Sequence, residues 1–344
     1  MKCGIMTYSG IPNFGAVLQG VALCKTIRNM GHSCELIRYE CKNIVNRELL
    51  FHKSRNPIKT ALSRILIWPH VEKKIKECRR FEEGYVSKEI YSKQTIRESN
   101  TLYDCFIAGS DMIWNPEING FDRSFLLDFT NNEKRRFSYG SSIGVKLKRQ
   151  WEKQFKQNLR RFVAISVREP DTQERIRKMG FPCEYVADPT MLLNFREWQK
   201  EIRSVPESGY VLAYFPYPSI LESARRYARI SKKRLIVLRT GMISRIENKT
   251  IYSPEEWLSY VYGADAVFTD SYHGLLFSLY FHKPCWTNNQ GNRVQTLLEE
   301  FGLQKCYIDN DPEFQNSIPF DKCEEQMQAF RIKSMMFLKG ALNK

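Results

Sequence analysis

The chain of 344 residues lacks a CxxC pair, a GxGxxG motif and any apolar run that approaches the length of a membrane span. The first absence argues against the common zinc and dithiol motifs, the second against a nicotinamide cofactor, and the third against an integral membrane protein. The N-terminal residues carry no apolar segment of the signal-peptide type. The ten cysteines are therefore expected to be reduced thiols of a cytoplasmic protein that has neither a metal site nor a cofactor.

Negative charge is scarce relative to positive charge, because 53 Lys and Arg face 38 Asp and Glu. Residues 42–100 carry 14 basic against seven acidic residues, and residues 134–161 carry ten against one. Such segments suit nucleic acid, anionic lipid or a phosphorylated substrate, or are simply solvated helix faces. No nucleic-acid motif accompanies them, so no nucleic-acid partner is predicted.

Strand and helix patterns alternate along the chain. Residues 2–9 and 34–39 are predicted strands on either side of a helix that ends near Met30, and the pattern restarts with the strand Tyr210–Tyr214. This alternation predicts an α/β fold with parallel sheets covered by helices. We expect two Rossmann-like, doubly wound domains that face a cleft.

The expected domain boundary follows the last strand-end turn of the first half, which gives residues 1–195 and 196–344 as the two domains. The basic residues 42–100 show helical rather than strand patterning and are predicted to be mainly helical.

The turn from Thr269 to Gly274 contains the most informative histidine of the five in the chain. It follows a short apolar strand and precedes an apolar helix, so His273 is placed at a strand's carboxyl end and a helix N-terminus. Ligands of α/β proteins bind at such ends, and helix N-termini favour anions. A lone histidine is otherwise more often structural than catalytic, so its position makes it a candidate.

Six turn sequences span nearly the whole chain. They are YSGIPNFGAVLQG from Tyr8, AGSDMIWNP at 108–116, FSYGSSIG at 137–144, SVREPD at 166–171, ADPTMLL at 187–193 and TDSYHGLLFSLYFHKP at 269–284. Together, and in this order, they resemble the polysaccharide pyruvyl transferase family. The resemblance implies a GT-B-like architecture and a ketal-forming pyruvyltransferase. Its co-substrate would be phosphoenolpyruvate, and its acceptor a hexose of a capsule or exopolysaccharide precursor on a lipid diphosphate. The family suggests galactose and a 4,6-ketal.

The implied donor carries a carboxylate and a phosphate, which need fixed cations and helix N-termini. The 196–344 domain is therefore assigned to the donor and the 1–195 domain to the acceptor. The predicted donor-binding residues are Arg168, Ser271, His273, Gly274, Lys283 and Arg293. Two alternatives stay open: Arg168 forms a structural ion pair, and Lys283 caps the end of its helix.

Ketal formation begins when an acid protonates the enol carbon, and a base then accepts the proton of the sugar hydroxyl. His273 is the predicted acid and Asp111 the predicted base, with Arg168 as the third catalytic residue. The alternative for Asp111 is a helix N-cap, and the alternative for Trp114 is a place in the core. The predicted acceptor-binding residues are Asn13, Phe14, Gly15, Gln19, Trp114 and Tyr139.

Two other functions stay open. A GT-B-like glycosyltransferase would need a ribose-binding acid and a base-stacking pocket, and a non-catalytic relative would bind a glycan without turnover. The joint presence of Arg168, His273 and Lys283 favours an enzyme. Because a lipid-linked acceptor lies at an anionic surface, the basic segments predict peripheral contact with the inner face of the cell membrane.

Overall fold

The computed structural model describes residues 1–49, 57–203, 208–239, 248–309, 314 and 318–344. The chain divides into two compact units. The first unit comprises Met1–Ala61, Cys78–Leu193 and Phe330–Lys344, and the second comprises Leu62–Glu77 and Asn194–Ala329. A single boundary at residue 195 does not describe this division. The segment Leu62–Glu77 precedes that boundary but belongs to the second unit, and the segment Phe330–Lys344 follows it but belongs to the first.

The first unit is built on a parallel sheet of the order β3-β2-β1-β4-β5. A further parallel pair, β6 and β7, continues it through isolated bridges from Phe137 to Ala164 and from Ser141 to Val167. The strands are β1 (Lys2–Met6), β2 (Ser33–Tyr39), β3 (Val86–Tyr91), β4 (Cys105–Ala108), β5 (Arg135–Ser138), β6 (Ser166–Val167) and β7 (Glu184–Tyr185).

The helices of the chain up to this point are α1 (Phe14–Asn29), α2 (Lys42–Leu49), α3 (Pro57–Phe81), α4 (Pro116–Asn119), α5 (Arg149–Leu159) and α6 (Pro170–Lys178). The helix α1 is buried along nearly its whole length, and Asn13 caps it by accepting a hydrogen bond from the N–H of Ala16. Two apolar clusters cover the sheet, one around Phe106 and Trp114 and the other around Ile5 and Leu23.

The second unit repeats the same strand order, as β10-β9-β8-β11-β12, again with every pair parallel. Its strands are β8 (Tyr210–Tyr214), β9 (Arg234–Arg239), β10 (Asn248–Thr250), β11 (Ala264–Thr269) and β12 (Cys285–Trp286). Its helices are α7 (Phe195–Gln199), α8 (Pro218–Ile230), α9 (Pro254–Gly263), α10 (Tyr272–Tyr280) and α11 (Asn292–Glu300), and α12 (Phe320–Asn343) ends the chain. The repeated order confirms the predicted α/β class with two Rossmann-like units.

Residues 42–100 are mainly helical, as expected, with α2 and α3 as their helices, but they also include a strand that the sequence pattern did not predict. The segment contains the strand β3 (Val86–Tyr91), which pairs with β2 and contains the charged residues Lys88 and Glu89. Edge strands tolerate such charges, and charges protect them from pairing with other chains. Residues 50–56 of this segment, and the side chains of residues 48–67, lie outside the described part of the chain.

Within the described residues, no helix combines the length and the hydropathy that a membrane span requires. All ten cysteines are buried free thiols.

Candidate functional site

A buried arginine organises the carboxyl edge of the first sheet. Arg168 follows β6, and its side chain is 2% exposed. Its Nη1 lies 2.6 Å from Oδ2 of Asp188 and 3.3 Å from Oγ of Ser110, and its Nη2 lies 3.1 Å from Oδ1 of Asp111. Its Nε lies 3.6 Å from Oε1 of Glu169. We call these five residues the Arg168 cluster.

Three carboxylates therefore surround one guanidinium. A buried arginine suits this role because its planar donors reach several acceptors at once, and the carboxylates compensate a charge that would otherwise be costly to bury. Asp188 and Glu169 are 2% exposed, whereas the side chain of Asp111 is 14% exposed. Asp111 is thus the carboxylate of the cluster with the greatest access to solvent, and Arg168 fixes its orientation. The structural ion pair considered for Arg168 is present.

Asp111 has a left-handed backbone, with φ of 78°. Its Oδ1 accepts a hydrogen bond from the N–H of Met112 at 2.7 Å, as well as from Arg168. It caps no helix, because the residue that caps α4 is Asn115. Non-glycine residues with positive φ are uncommon, and Asp tolerates that region better than most. The local backbone is therefore shaped to hold this carboxylate at the end of β4.

The loops after β1 and β4 are linked to each other. The hydroxyl of Thr7 donates to the carbonyl of Ser110 at 2.9 Å, and the hydroxyl of Tyr8 donates to the carbonyl of Met112 at 2.9 Å. In the loop after β4, Gly109 leaves no room for a side chain, because a Cβ there would lie 2.8 Å from Cγ2 of Ile5 in β1. These two loops flank the switch point of the sheet, where α/β folds bind ligands.

Most predicted acceptor-binding residues are buried in the first unit. Phe14, Gly15, Gln19, Trp114 and Tyr139 are all buried, and only Asn13 is exposed. The indole N–H of Trp114 donates to the carbonyl of Phe125 at 3.0 Å, and its ring contacts Phe155 edge-on.

Gln19 and Tyr139 use their polar atoms internally. The amide of Gln19 donates to Thr7 at 3.0 Å, and the hydroxyl of Tyr139 donates to the carbonyl of Ala187 at 3.1 Å. Trp114 and Tyr139 therefore lie in the core, which is the alternative stated for Trp114.

In the second unit, His273 lies in the first turn of α10 and is half-buried. Ser271 caps this helix, with its Oγ accepting from the N–H of Gly274 at 3.2 Å. Gly274 is buried because the helix approaches β11 closely: a Cβ at this position would lie 2.5 Å from Oγ1 of Thr269. The ring of Tyr272 contacts the His273 ring edge-on, with centroids 5.2 Å apart. The Ser271 cap and the close approach of α10 to β11 together fix the position of His273 in the first turn of the helix.

Asp270 ties three loops of this sheet edge together. Its Oδ2 accepts from the N–H of Tyr217 at 2.8 Å, and its Oδ1 accepts from Oγ1 of Thr287 at 3.2 Å and from the N–H of Asn288 at 3.3 Å. Burial raises the pKa of its carboxyl, and the three hydrogen bonds oppose that rise. The Asp270 carboxylate therefore links its own loop, after β11, to the loops after β8 and β12.

Arg293 lies at the same edge, in the first turn of α11. Within the described residues, no side chain caps α11 and no carboxylate pairs with Arg293. Gly291 provides the cap position, with its N–H bound to Oδ1 of Asn289 at 2.7 Å. The N-termini of α8, α10 and α11 thus follow three strands of one sheet at its carboxyl edge. Ser271, His273, Gly274 and Arg293 are brought to that edge together.

Lys283 is not brought to this edge. It follows the far end of α10, and its N–H donates to the carbonyl of Ser278 at 2.7 Å. Its Nζ lies 5.4 Å from the ring centroid of Tyr262. Burial lowers the pKa of Lys283, and the charge of Asp265, near the start of β11, opposes that change. A nine-residue helix is about 13 Å long, so Lys283 lies about a helix length away from His273.

Asp188 was not among the predicted site residues, although the ADPTMLL motif contains it. Its Oδ1 accepts from the N–H and the hydroxyl of Thr190, so it also caps the short helix at Pro189–Leu192. An Asp-Pro pair directly after a strand is a capping signal, and this signal was available in the sequence. In the described part of the chain, no group of three or more His, Cys, Asp or Glu could hold a metal ion.

Residues 13–287 match the sequence model of the polysaccharide pyruvyl transferase family. This match covers well over half of the chain and confirms the family that the six turn sequences indicated. Among curated proteins, no sequence matches the chain significantly.

The solved structures that are similar to the chain over nearly its full length include two epimerases. UDP-GlcNAc 2-epimerase from Methanocaldococcus jannaschii, in complex with UDP-GlcNAc and UDP, is 12% identical, with 97% of this chain and 99% of that chain covered and a TM-score of 0.50. UDP-GlcNAc 2-epimerase from Neisseria meningitidis, bound to UDP-GlcNAc, is 8% identical, with 97% and 94% covered and a TM-score of 0.51. At this identity the likeness shows the fold alone, and it confirms the predicted GT-B-like class.

Proposed function

We propose that this chain, which belongs to the polysaccharide pyruvyl transferase family, transfers the pyruvyl group of phosphoenolpyruvate to a hexose of a cell-surface polysaccharide precursor. The observation that carries the proposal is the position of His273. It stands in the first turn of α10, on the sheet edge that also holds Arg293 and the N-termini of α8 and α11.

The donor proposed for this edge is a small polyanion. The phosphate of phosphoenolpyruvate suits the N-terminus of α11, because backbone N–H groups and the positive end of a helix dipole favour negative charge. Arg293 adds a guanidinium, which matches phosphate or carboxylate through paired hydrogen bonds. Asp270 holds the surrounding loops through their backbone and Thr287, and so gives the site a fixed shape.

The proposed reaction begins with protonation of the methylene carbon of phosphoenolpyruvate by His273. The methylene becomes a methyl group, and C2 becomes an oxocarbenium-like centre. One sugar hydroxyl forms a C–O bond to C2 and gives up its proton to a base. The C2–O bond to phosphate then breaks, and inorganic phosphate leaves. Departure of phosphate leaves C2 oxocarbenium-like again. A second hydroxyl of the same sugar then adds to C2 and gives its proton to the neutral imidazole of His273, which closes the cyclic ketal and restores the acid.

Asp111 is proposed as the base. It is the most solvent-accessible carboxylate of the Arg168 cluster, and Arg168 fixes its orientation. Arg168 itself is proposed as a positioning residue, since its guanidinium is engaged by buried carboxylates. The proposed steps use neither a metal nor a cofactor, as the sequence predicts.

The proposed acceptor is linked to a lipid diphosphate, with galactose and a 4,6-ketal as the first candidate. The segment 134–161 of the first unit supports contact with an anionic surface. Five of its cations are exposed, at Lys146, Lys148, Arg149, Lys153 and Arg160. Each well-placed cation near an anionic membrane contributes about 1 kcal/mol. Vesicle co-sedimentation tests this part: binding should require anionic lipid and weaken with salt, and equal binding to neutral vesicles would contradict it.

A direct experiment tests the reaction. The protein is incubated with phosphoenolpyruvate and a panel of hexosides and lipid-linked hexoses, while phosphate release and the mass of each saccharide are followed. A saccharide that gains a pyruvate ketal in step with phosphate release supports the proposal. If nucleotide sugars are turned over instead, the GT-B-like glycosyltransferase is correct. Binding of glycans without turnover of either donor would indicate a non-catalytic relative.

A further inference from the structure

We propose that Phe215 and Tyr217 form an aromatic platform that stacks against the acceptor hexose and selects it. This inference rests on the proposed function and adds to it the residues that hold the sugar ring. It assigns part of the acceptor contact to the second unit, on the loop between β8 and α8, which the sequence had not identified.

The platform stands beside the His273 turn. β8 and β11 are neighbouring parallel strands, and Tyr214 is the register partner of Thr269. Phe215 directly follows Tyr214, and Asp270 directly follows Thr269. The segments after β8 and β11 therefore leave the sheet side by side, about 5 Å apart. The N–H of Tyr217 is bound by the Asp270 carboxylate at 2.8 Å. The loop that carries the two rings is thus held by the residue three before His273.

Both rings face solvent. Phe215 is 61% exposed and Tyr217 is 54% exposed, whereas Tyr214 is turned inward and contacts Trp257 with centroids 5.2 Å apart. A single exposed apolar side chain is ordinary, but these two stand one residue apart at the switch point of the sheet, where ligands bind. Phosphoenolpyruvate has no ring or apolar face of comparable size, so the donor does not account for them.

The backbone of Phe215 is strained in a way that fixes the platform. Its φ is 49°, and a bulky residue in the left-handed region is a genuine outlier. Neighbouring hydrogen bonds hold this conformation, since Oγ1 of Thr269 donates to the carbonyl of Tyr214 at 2.6 Å and Asp270 binds Tyr217. Strain of this kind persists where the surroundings determine it, and it clusters at ligand sites.

The chemistry of the acceptor matches such a surface. A hexopyranose presents a face of C–H bonds, and an aromatic ring buries that face without competing for its hydroxyls. The attacking hydroxyl must reach C2, which is bonded to the methylene carbon that His273 protonates, and this hydroxyl lies within a few ångströms of the sugar ring. The ring of the acceptor therefore falls over the loop next to the His273 turn, which is where Phe215 and Tyr217 stand.

The test uses the full chain with phosphoenolpyruvate present and methyl hexopyranosides as probes, because their methyl aglycone does not itself stack. Saturation-transfer difference NMR is measured for the wild type, Phe215→Ala and Tyr217→Ala. The matched control is Ile230→Ala, which removes a side chain of similar exposure, 64%, from the opposite end of α8. The nucleotides UMP and UDP are measured in parallel.

We expect the ring protons of at least one hexopyranoside to be saturated in the wild type and in Ile230→Ala, and the signal to be lost in both platform variants. With an active acceptor, each platform variant should raise KM for the sugar about tenfold, as expected for the loss of about 1.4 kcal/mol of stacking, and leave KM for phosphoenolpyruvate unchanged. Phe215→Gly should show the same loss with a raised melting temperature, because glycine relieves the positive φ.

Two results would overturn the platform. One is a sugar-proton signal that does not depend on the two rings. This would be seen as equal saturation in the wild type and both platform variants, or as no saturation in the wild type for any methyl hexopyranoside. The other is a base-proton signal from UMP or UDP that depends on Phe215 and Tyr217. If the wild type makes no ketal but binds hexopyranosides through the two rings, the proposed reaction fails and the platform stands.

Discussion

Arg168 and Asp188 form the shortest contact of the Arg168 cluster, with Nη1 2.6 Å from Oδ2 and both side chains excluded from solvent. The same guanidinium reaches Asp111 with its other terminal nitrogen. A buried residue after β7 is thereby connected, through one cation, to a partly exposed carboxylate after β4.

Removal of this cation should destabilise the first unit. Arg168→Ala leaves three carboxylates around a vacated position, and loss of one partner of a buried ionic group costs about 3–5 kcal/mol. Urea denaturation monitored by tryptophan fluorescence measures the loss. The control is Lys178→Ala, which removes a solvent-exposed i,i+4 ion pair with Glu174 and should leave the midpoint unchanged. Equal midpoints for Arg168→Ala and the wild type would contradict the structural role of the cluster.

Substitutions at Asp111 separate the effect of its left-handed backbone from the effect of its carboxylate charge. Asn tolerates the left-handed backbone nearly as well as Asp, so Asp111→Asn should fold with an unchanged melting temperature and lose most of the pyruvyl transfer, by about 100-fold or more for loss of a general base. Asp111→Gly relieves the positive φ but removes the acceptor of the Arg168 and Met112 hydrogen bonds, so it should be less stable than Asp111→Asn and equally inactive. Retained activity in both variants would show that the base lies elsewhere.

The close approach of α10 to β11 predicts a sharp difference between two glycines. In Gly274→Ala the new Cβ would lie 2.5 Å from Oγ1 of Thr269, and overpacking of this kind costs about 1–3 kcal/mol. In Gly340→Ala, within α12, nothing lies within 4 Å, and alanine should stabilise the helix by up to about 1 kcal/mol. Thermal melts of the two variants should therefore shift in opposite directions, and a stabilised Gly274→Ala would refute the packing described for α10.

Glu82 predicts a pH dependence of stability. Its carboxyl is buried and accepts a hydrogen bond from the N–H of Gly10 at 2.7 Å, in the loop after β1. Burial raises its pKa to about 8, while the Gly10 hydrogen bond and the charges of Arg38 and Arg79 oppose the rise. The folded state thus keeps a proton that the unfolded chain releases near pH 4.5, so stability falls as pH rises from about 4.5, and the loss is complete once the pH has passed about 8.

Glu82→Gln should abolish that loss, because glutamine keeps the acceptor and carries no charge. Melting temperatures between pH 5 and pH 9 should fall less in Glu82→Gln than in the wild type, with a difference equivalent to a few kcal/mol at the upper end. Glu83→Gln, at an exposed neighbouring position, should follow the wild type. Parallel profiles for the wild type and Glu82→Gln would show that this carboxyl does not set the pH dependence.

Much of the fold was predictable because the buried strands are apolar runs bounded by turn signals. The start of α9 carries such a signal, because a serine, a proline and two glutamates at residues 253–256 are typical of a capped helix N-terminus, and the Oγ of Ser253 does accept from the N–H of Glu256. The Glu256 carboxylate reaches back one residue further, to the N–H of Tyr252. The strands β3, β10 and β12 were not predicted, because they are short or polar and form only through pairing with a neighbouring strand.

The site was predictable where local sequence determines geometry. The strand, the cap at Ser271 and the glycine contact together place His273. The burial of Trp114 and Tyr139 could not be predicted, since an aromatic ring fits a core as well as a sugar site. The separation of Lys283 from His273 follows from the length of α10 and could have been predicted.

Product formation in deuterated water by the wild type and by His273→Gln tests whether His273 supplies the proton to the enol carbon. Phosphoenolpyruvate and a saccharide acceptor are supplied, and the product is exchanged back into ordinary water before mass spectrometry. We predict that the wild type forms a ketal whose methyl group contains deuterium from the solvent, with one phosphate released per ketal, and that folded His273→Gln forms none. Ketal formation by His273→Gln at the wild-type rate would contradict the role assigned to His273.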